Sequence, residues 1–224
     1  MKHTLLITAL LILPAFSLWS QETAEKFFTS VSDQHGDVTD YKAYITITKG
    51  SEVQSGTLYY KTPNLLRIDF DEPEEQVLVV NNEQLELYIP KFRVSFKQTL
   101  KKHNSATLAS MVSSQGLKLL ERNYRIGYLV GPEPVPLEDG SPEMVVKLKL
   151  TWMSQTEGFR ELEMSINAGD KSIRRIVGVT GSFETIQFDF EDIDTLTKIP
   201  DARFEYESPS EGNEIENFLF EPEN

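Results

Sequence analysis

Residues 56–90 read GTLYYKTPNLLRIDFDEPEEQVLVVNNEQLELYIP, and their apolar positions recur at every second residue. Leu58 and Tyr60 share one side of the first run. Leu66, Ile68 and Phe70 then alternate with Leu65, Arg67 and Asp69, and Leu85, Leu87 and Ile89 alternate with Glu86 and Tyr88. Successive side chains of a strand point to opposite faces, so a period of two marks strands that bury one face. One-sided burial is the habit of antiparallel sheets, because parallel sheets are covered on both faces and read as unbroken apolar runs. Asn81-Asn82 supplies a turn within the stretch.

The same alternation extends outward in both directions. Ala43, Ile45 and Ile47 precede the stretch, and Phe92, Val94 and Phe96 follow it. Farther on come Val146, Leu148, Leu150 and Trp152, then Leu162, Met164 and Ile166, and finally Phe188 and Phe190. Lys49-Gly50, Asn167-Ala168-Gly169-Asp170 and Thr180-Gly181 supply turns, and no crossover helices separate the strands. The pattern predicts about a dozen strands in a meander, long enough to curl into a barrel or half-barrel. Two segments break the period. Glu22 to Gln34 places Ala24, Phe27, Phe28 and Val31 on one helical stripe that ends at His35-Gly36. A second helix is expected from an N-cap at Asn104 or Ser105 to Gly116, with Leu108, Met111 and Val112 as its apolar stripe and Leu117, Leu119 and Leu120 as an extension. Gly131 to Pro142 holds four prolines and reads as an exposed loop.

Composition excludes several classes of function. The chain of 224 residues has no cysteine, so disulfides, thiolate metal sites, thiol nucleophiles and a cysteine-linked lipid anchor are ruled out. Its formal charge of -13 weighs against a nucleic-acid partner, since phosphate is bound by accumulated Lys and Arg. The first twenty residues carry Lys2 and then an apolar run from Leu5 to Leu13 broken by Thr8. That run is shorter than the ~20 residues a membrane-spanning helix needs, and with Pro14 and small residues behind it suits a secretory signal. Residues 1–20 are therefore expected to be a signal peptide cleaved after Ser20, and 21–224 a single domain.

Chemistry-bearing motifs are missing. Of the histidines beyond the signal, His35 follows a helix and His103 precedes one, without an evident nucleophile or orienting carboxylate. Gly178-Val179-Thr180-Gly181 suits a hairpin better than a phosphate cradle. Two acidic clusters, one around Pro73 (Asp69, Asp71, Glu72, Glu74, Glu75) and one at Asp189, Glu191, Asp192 and Asp194, fit no calcium loop; the second lacks the required glycine. No catalytic residues, metal site or cofactor are expected.

The quoted stretch resembles the LolA family of periplasmic lipoprotein carriers. The matching residues are Gly56, Leu58, Lys61, Pro63, Asn64, Leu65, Pro73, Leu78, Val79, Leu85, Tyr88 and Pro90. Phe204, Pro209, Gly212 and Ile215 are similar to the family's C-terminal pattern. The resemblance implies an unclosed antiparallel β half-barrel with a helical lid. It implies a monomeric periplasmic carrier, not an enzyme, that holds lipoprotein acyl chains in an apolar cavity. The cargo would be acylated lipoproteins, the donor an inner-membrane lipoprotein-releasing ABC transporter, and the acceptor at the outer membrane, with a lipoprotein receptor as one candidate. A regulatory sensor, or a carrier of other lipids or glycolipids, remains open on the same fold.

Under that implication the acyl-chain cavity would be lined by Leu58, Tyr60, Leu66, Ile68, Phe70, Leu85, Leu87, Leu148, Leu150 and Trp152, and the lid by Leu108, Met111 and Val112. Each is also an ordinary core residue of a β protein. Related carriers place an arginine directly before Pro-Asn-Leu as a lid latch. This chain has Thr62 there, with one donor on a short stem, so the latch is expected to be absent or supplied differently. Lys61 is adjacent, but alternation turns it to the opposite face.

Overall fold

A computed structural model describes residues 21–81, 84–99, 113–155, 157–209 and 212–217. The expected signal segment, His103 and the predicted lid residues Leu108, Met111 and Val112 lie outside them. Helix α1 (Ala24–Gly36) begins where the Thr23 side chain accepts a hydrogen bond from the Lys26 amide, and it buries the predicted stripe of Ala24, Phe27, Phe28 and Val31. Then follow β1 (Asp40–Lys49), β2 (Glu52–Lys61), β3 (Leu65–Glu72), β4 (Val77–Asn81), β5 (Gln84–Ile89) and β6 (Val94–Thr99). Each of these pairs antiparallel with the next.

Helix α2 (Ser114–Asn123) runs straight into β7 (Tyr124–Tyr128). Gly116, expected as a helix stop, instead lies in its first turn, where its amide donates to the capping Ser113 Oγ at 2.9 Å. Glycine is tolerated there because the cap satisfies an amide that has no partner within the helix. The expected extension over Leu117, Leu119 and Leu120 is the body of this helix. A two-residue strand β8 (Val135–Pro136) interrupts the predicted loop by pairing with β9 (Met144–Trp152). After it come β10 (Phe159–Asn167), β11 (Ile173–Thr180), β12 (Thr185–Asp194) and β13 (Asn213–Glu216).

Among the described residues the thirteen strands join in one sheet of order β13-β6-β5-β4-β3-β2-β1-β12-β11-β10-β9-β7, with β8 beside β9. Two hairpin ladders therefore meet at β1 and β12, where Ile45 registers with Phe190 and Ile47 with Phe188. The terminal strands β13 and β7 do not pair with each other, so the sheet is unclosed. Its inner face and both helices contribute to one contiguous apolar cluster, in which Phe28, Ile45, Leu58, Ile68, Leu148 and Leu162 are fully buried.

The opposite face carries a polar belt. After β12 the chain crosses β1 to β5 and returns to pair β13 with β6. Ile199 and Phe204 are buried under it, and Lys61 Nζ donates to the Ile199 carbonyl at 2.9 Å. Arg67 reaches the carbonyls of Arg203 and Glu205, Arg203 pairs with Asp69 at 2.9 Å, and the Arg203 guanidinium sits 4.2 Å from the Tyr59 ring centroid. Lys61 thus faces away from the inner cluster, as alternation requires. No helix among the described residues is long and apolar enough to cross a membrane.

Candidate functional site

The ten residues assigned to the cavity all fall on the inner face. Tyr60 registers with Leu66 and Leu58 with Ile68 across β2 and β3, while Leu150 lies between Leu162 of β10 and Ile126 of β7. Leu58, Tyr60, Leu66, Ile68, Phe70, Leu85, Leu148 and Leu150 belong to the buried cluster, and Leu87 and Trp152 pack against it half-buried. Covered in this way, they form the floor of the interior; alternation specified their face and could not say what covers it.

An open pocket lies elsewhere on the same face. Its volume is about 220 Å³, and it opens between the C-terminal end of α1 and strands β1, β11 and β12. Val38, Tyr41, Ala43, Ile173, Phe190 and Ile193 make its apolar walls. Gln34, His35, Asp170, Ser172 and Thr195 give it a polar border. None of the ten residues assigned from the sequence lines it. Its wall is assembled from α1, β1, β11, β12 and the loops beside them, and the β1–β12 pairing that gathers them is set by no local pattern. Ala43 and Phe190 were legible as one-sided strand residues, which is the only signal the sequence held.

Bonds at the border fix the helix over the pocket. Gln34 Nε2 donates to the Asp170 carbonyl at 2.6 Å, and Lys171 Nζ donates to Ser30 Oγ at 3.0 Å. Burial pushes the His35 imidazole below its ordinary value, against the opposing effects of a Lys171 backbone hydrogen bond and the Asp170 charge. Burial acts to raise the Asp170 carboxyl, yet bonds from the Ser172 side chain and amide outweigh it and hold the group below its usual range. The border is therefore anionic at Asp170 and neutral at His35 near pH 7.

The latch position behaves differently from a long cationic side chain. Thr62 is exposed in the β2–β3 turn, and its amide donates to the Thr39 carbonyl at 2.8 Å. Burial pushes the Tyr60 hydroxyl, on the inner face, above its ordinary value, and the side chains of Thr62 and of Ser113, the residue that caps α2, act in the opposite direction. Within the two acidic clusters Asp189 pairs with Arg175, and Asp69 with Arg67 and Arg203; among the described residues no group of three or more His, Cys, Asp and Glu side chains is placed to hold a metal ion.

Comparison with known proteins places this geometry. Residues 46–207 match the family model described as outer membrane lipoprotein carrier protein LolA. Comparison with curated proteins returned no match. Among solved structures, an uncharacterized conserved protein from Thermus thermophilus superposes with a TM-score of 0.55 at 14% identity, over 85% of this chain and 98% of that one. A LolA superfamily protein from Nitrosomonas europaea gives 0.41 at 11% identity, over 83% and 98%. A chain of the Pseudomonas aeruginosa MucA/MucB complex gives 0.49 at 8% identity, over 82% and 61%.

Proposed function

Because the chain belongs to the LolA family of outer membrane lipoprotein carrier proteins, we propose that it is a periplasmic carrier that takes lipoprotein acyl chains against the inner face of its unclosed sheet. It would receive them from an inner-membrane releasing complex and deliver them to the outer membrane. Proteins of this family carry cargo and do not catalyse. The observation that supports the reading is the single apolar cluster running from both helices across the sheet, with an open pocket at the end of α1.

The physical task is to lower the cost of exposing hydrocarbon to water. Each methylene moved into an apolar site gains ~0.8 kcal/mol, so a chain of a dozen or more carbons does not leave a membrane unaided. The pocket is smaller than the ~300–1,000 Å³ usual for small-molecule sites, so it admits part of one chain. A multiply acylated cargo requires the inner cluster to open further, with α1 and α2 moving away from Leu58, Leu66 and Leu148. In the ligand-free state the same residues are the core, which keeps the empty carrier from exposing a large apolar surface.

Native mass spectrometry of the protein purified from the periplasm tests this. Co-purified acylated lipoprotein is the expected result. Free lipid in its place, or no adduct after incubation with lipoprotein and releasing complex, would remove the reading.

A further inference from the structure

Strand β6 ends one ladder of the sheet, and its outer edge is covered by β13 in the one parallel pairing among the described strands. The cover is slight. Asn213 registers with Val94 and Glu216 with Lys97, and all four β13 residues are exposed. Beyond the ladder it is held by the Asn213 amide on the Arg93 carbonyl at 2.9 Å, the Asn217 amide on the Lys97 carbonyl at 2.8 Å, and a Lys97–Glu214 ion pair at 2.6 Å. Parallel pairing is slightly less stable per residue than antiparallel, and exposed ion pairs contribute little. The preceding belt is anchored separately, through buried Ile199 and Phe204 and the bonds of Lys61 and Arg67. Strand β13 can therefore leave β6 without the belt unfolding.

Lys97 has a second carboxylate in reserve. Glu86 registers directly with it across β5 and β6, and the Glu86 Oε1 is buried with no hydrogen-bond partner. Both Glu214 and Glu86 stabilise the Lys97 ammonium, the hydrogen bond that Lys97 donates to Glu214 most strongly. Were Glu214 to depart, Lys97 would still face the directly opposed Glu86, whose unpaired carboxylate oxygen could accept from it. The two arrangements differ by one exchanged ion pair, which lowers the cost of uncovering the edge.

We propose that the outer edge of β6 is a docking edge for an extended segment of a partner protein, which replaces β13 as a parallel strand. The segment it fits has an apolar residue between two acidic ones, as in Glu214-Ile215-Glu216. The central residue registers with Phe96, as Ile215 does, and the preceding acid reaches Lys97. Backbone hydrogen bonds supply affinity and the alternate side chains supply selection. This goes beyond the carrier reading and is independent of what the inner face holds.

The test uses cargo-free protein and a fluorescent peptide copying Gly212–Asn217. Glu214→Lys in the full chain sets a like charge beside Lys97 and loosens β13, so it should bind the peptide at least tenfold more tightly than the unaltered chain. A chain ending at Glu207 should do the same. Ser95→Cys with Glu214→Cys joins directly opposed positions in a chain that has no other cysteine. Oxidised, it should not bind the peptide; reduced, it should. Equal binding by the oxidised and reduced forms, or no binding by Glu214→Lys with its fold intact by circular dichroism, overturns the proposal. So does a concentration-dependent dimer of the unaltered chain that competes with the peptide, because the edge would then belong to a second copy. A carrier without this edge would still yield a cargo adduct, so the two failures are separable.

Discussion

Tyr41 and Tyr60 face each other across the β1–β2 ladder with ring centroids 5.1 Å apart, and their hydroxyls have different fates. The Tyr60 hydroxyl donates to the Pro63 carbonyl at 3.4 Å. The Tyr41 hydroxyl is buried without a partner, and its ring forms part of the pocket wall. An unmade buried hydrogen bond costs about 1–3 kcal/mol, whereas a made one contributes only about 1 kcal/mol.

Tyr41→Phe should therefore raise the urea midpoint, and Tyr60→Phe should lower stability by about 1 kcal/mol. If both substitutions were destabilising to the same degree, the contrast between the two hydroxyls would be wrong.

A second contrast concerns glycine. A Cβ on Gly56 would stand 2.2 Å from the Asp69 carbonyl oxygen and 2.6 Å from the Phe70 Cα, both backbone atoms of the neighbouring strand. A Cβ on Gly127, in the edge strand β7, would meet nothing within 4 Å. Gly56→Ala should lose about 1–3 kcal/mol or more by forcing β2 and β3 apart, and Gly127→Ala should change stability by less than about 0.5 kcal/mol. Chemical denaturation of the two variants side by side decides it.

Filling the pocket should weaken binding without unfolding the chain. Ile193 is half-buried at the pocket wall, so Ile193→Trp occupies space that about two methylenes of a ligand would use. At ~0.8 kcal/mol each, the affinity for a fluorescent fatty-acid probe should fall roughly tenfold. Undiminished probe binding would show that chains enter elsewhere on the inner face.

Acid should loosen the belt through Asp40. Burial acts to raise its carboxyl, but hydrogen bonds from Thr39, Lys198 and the Ile199 amide prevail and hold it below its ordinary value of 3.8. A depressed folded-state pKa contributes stability that is present above the unfolded value and is lost as pH falls through the folded one. The unaltered protein should thus lose stability below about pH 4 more steeply than Asp40→Asn, whose thermal midpoint should be lower at pH 7 and flatter with pH. Parallel pH profiles for the two would remove Asp40 from the account.

Elements with one repeated local pattern were readable without coordinates. The stripe of α1 follows from Ala24, Phe27, Phe28 and Val31, and the inward faces of β2, β3, β9 and β10 follow from strict alternation. The outward position of Lys61 followed from the same parity. Gly116 reads as a stop until Ser113 is seen to cap α2, whereas the N-cap expected at Asn104 or Ser105 lies outside the described residues. Neighbours were not readable either: alternation assigns Ile45 and Phe190 each to a face, and gives neither a reason to choose the other.

Hydropathy along the chain settled which side chains leave water, because burial of apolar area is local and cumulative and shows as periodicity. Tertiary structure alone decided which of them are floor and which are wall. Leu58 and Leu66 lie inside the inner cluster away from the pocket, while Ala43 and Phe190 of the same cluster and the half-buried Ile193 line it, and the distinction arises from what packs above each one. That depends on the pairing of β1 with β12 and on the bonds that seat α1 over it. Those contacts join residues far apart in the chain, and no short-range pattern encodes them.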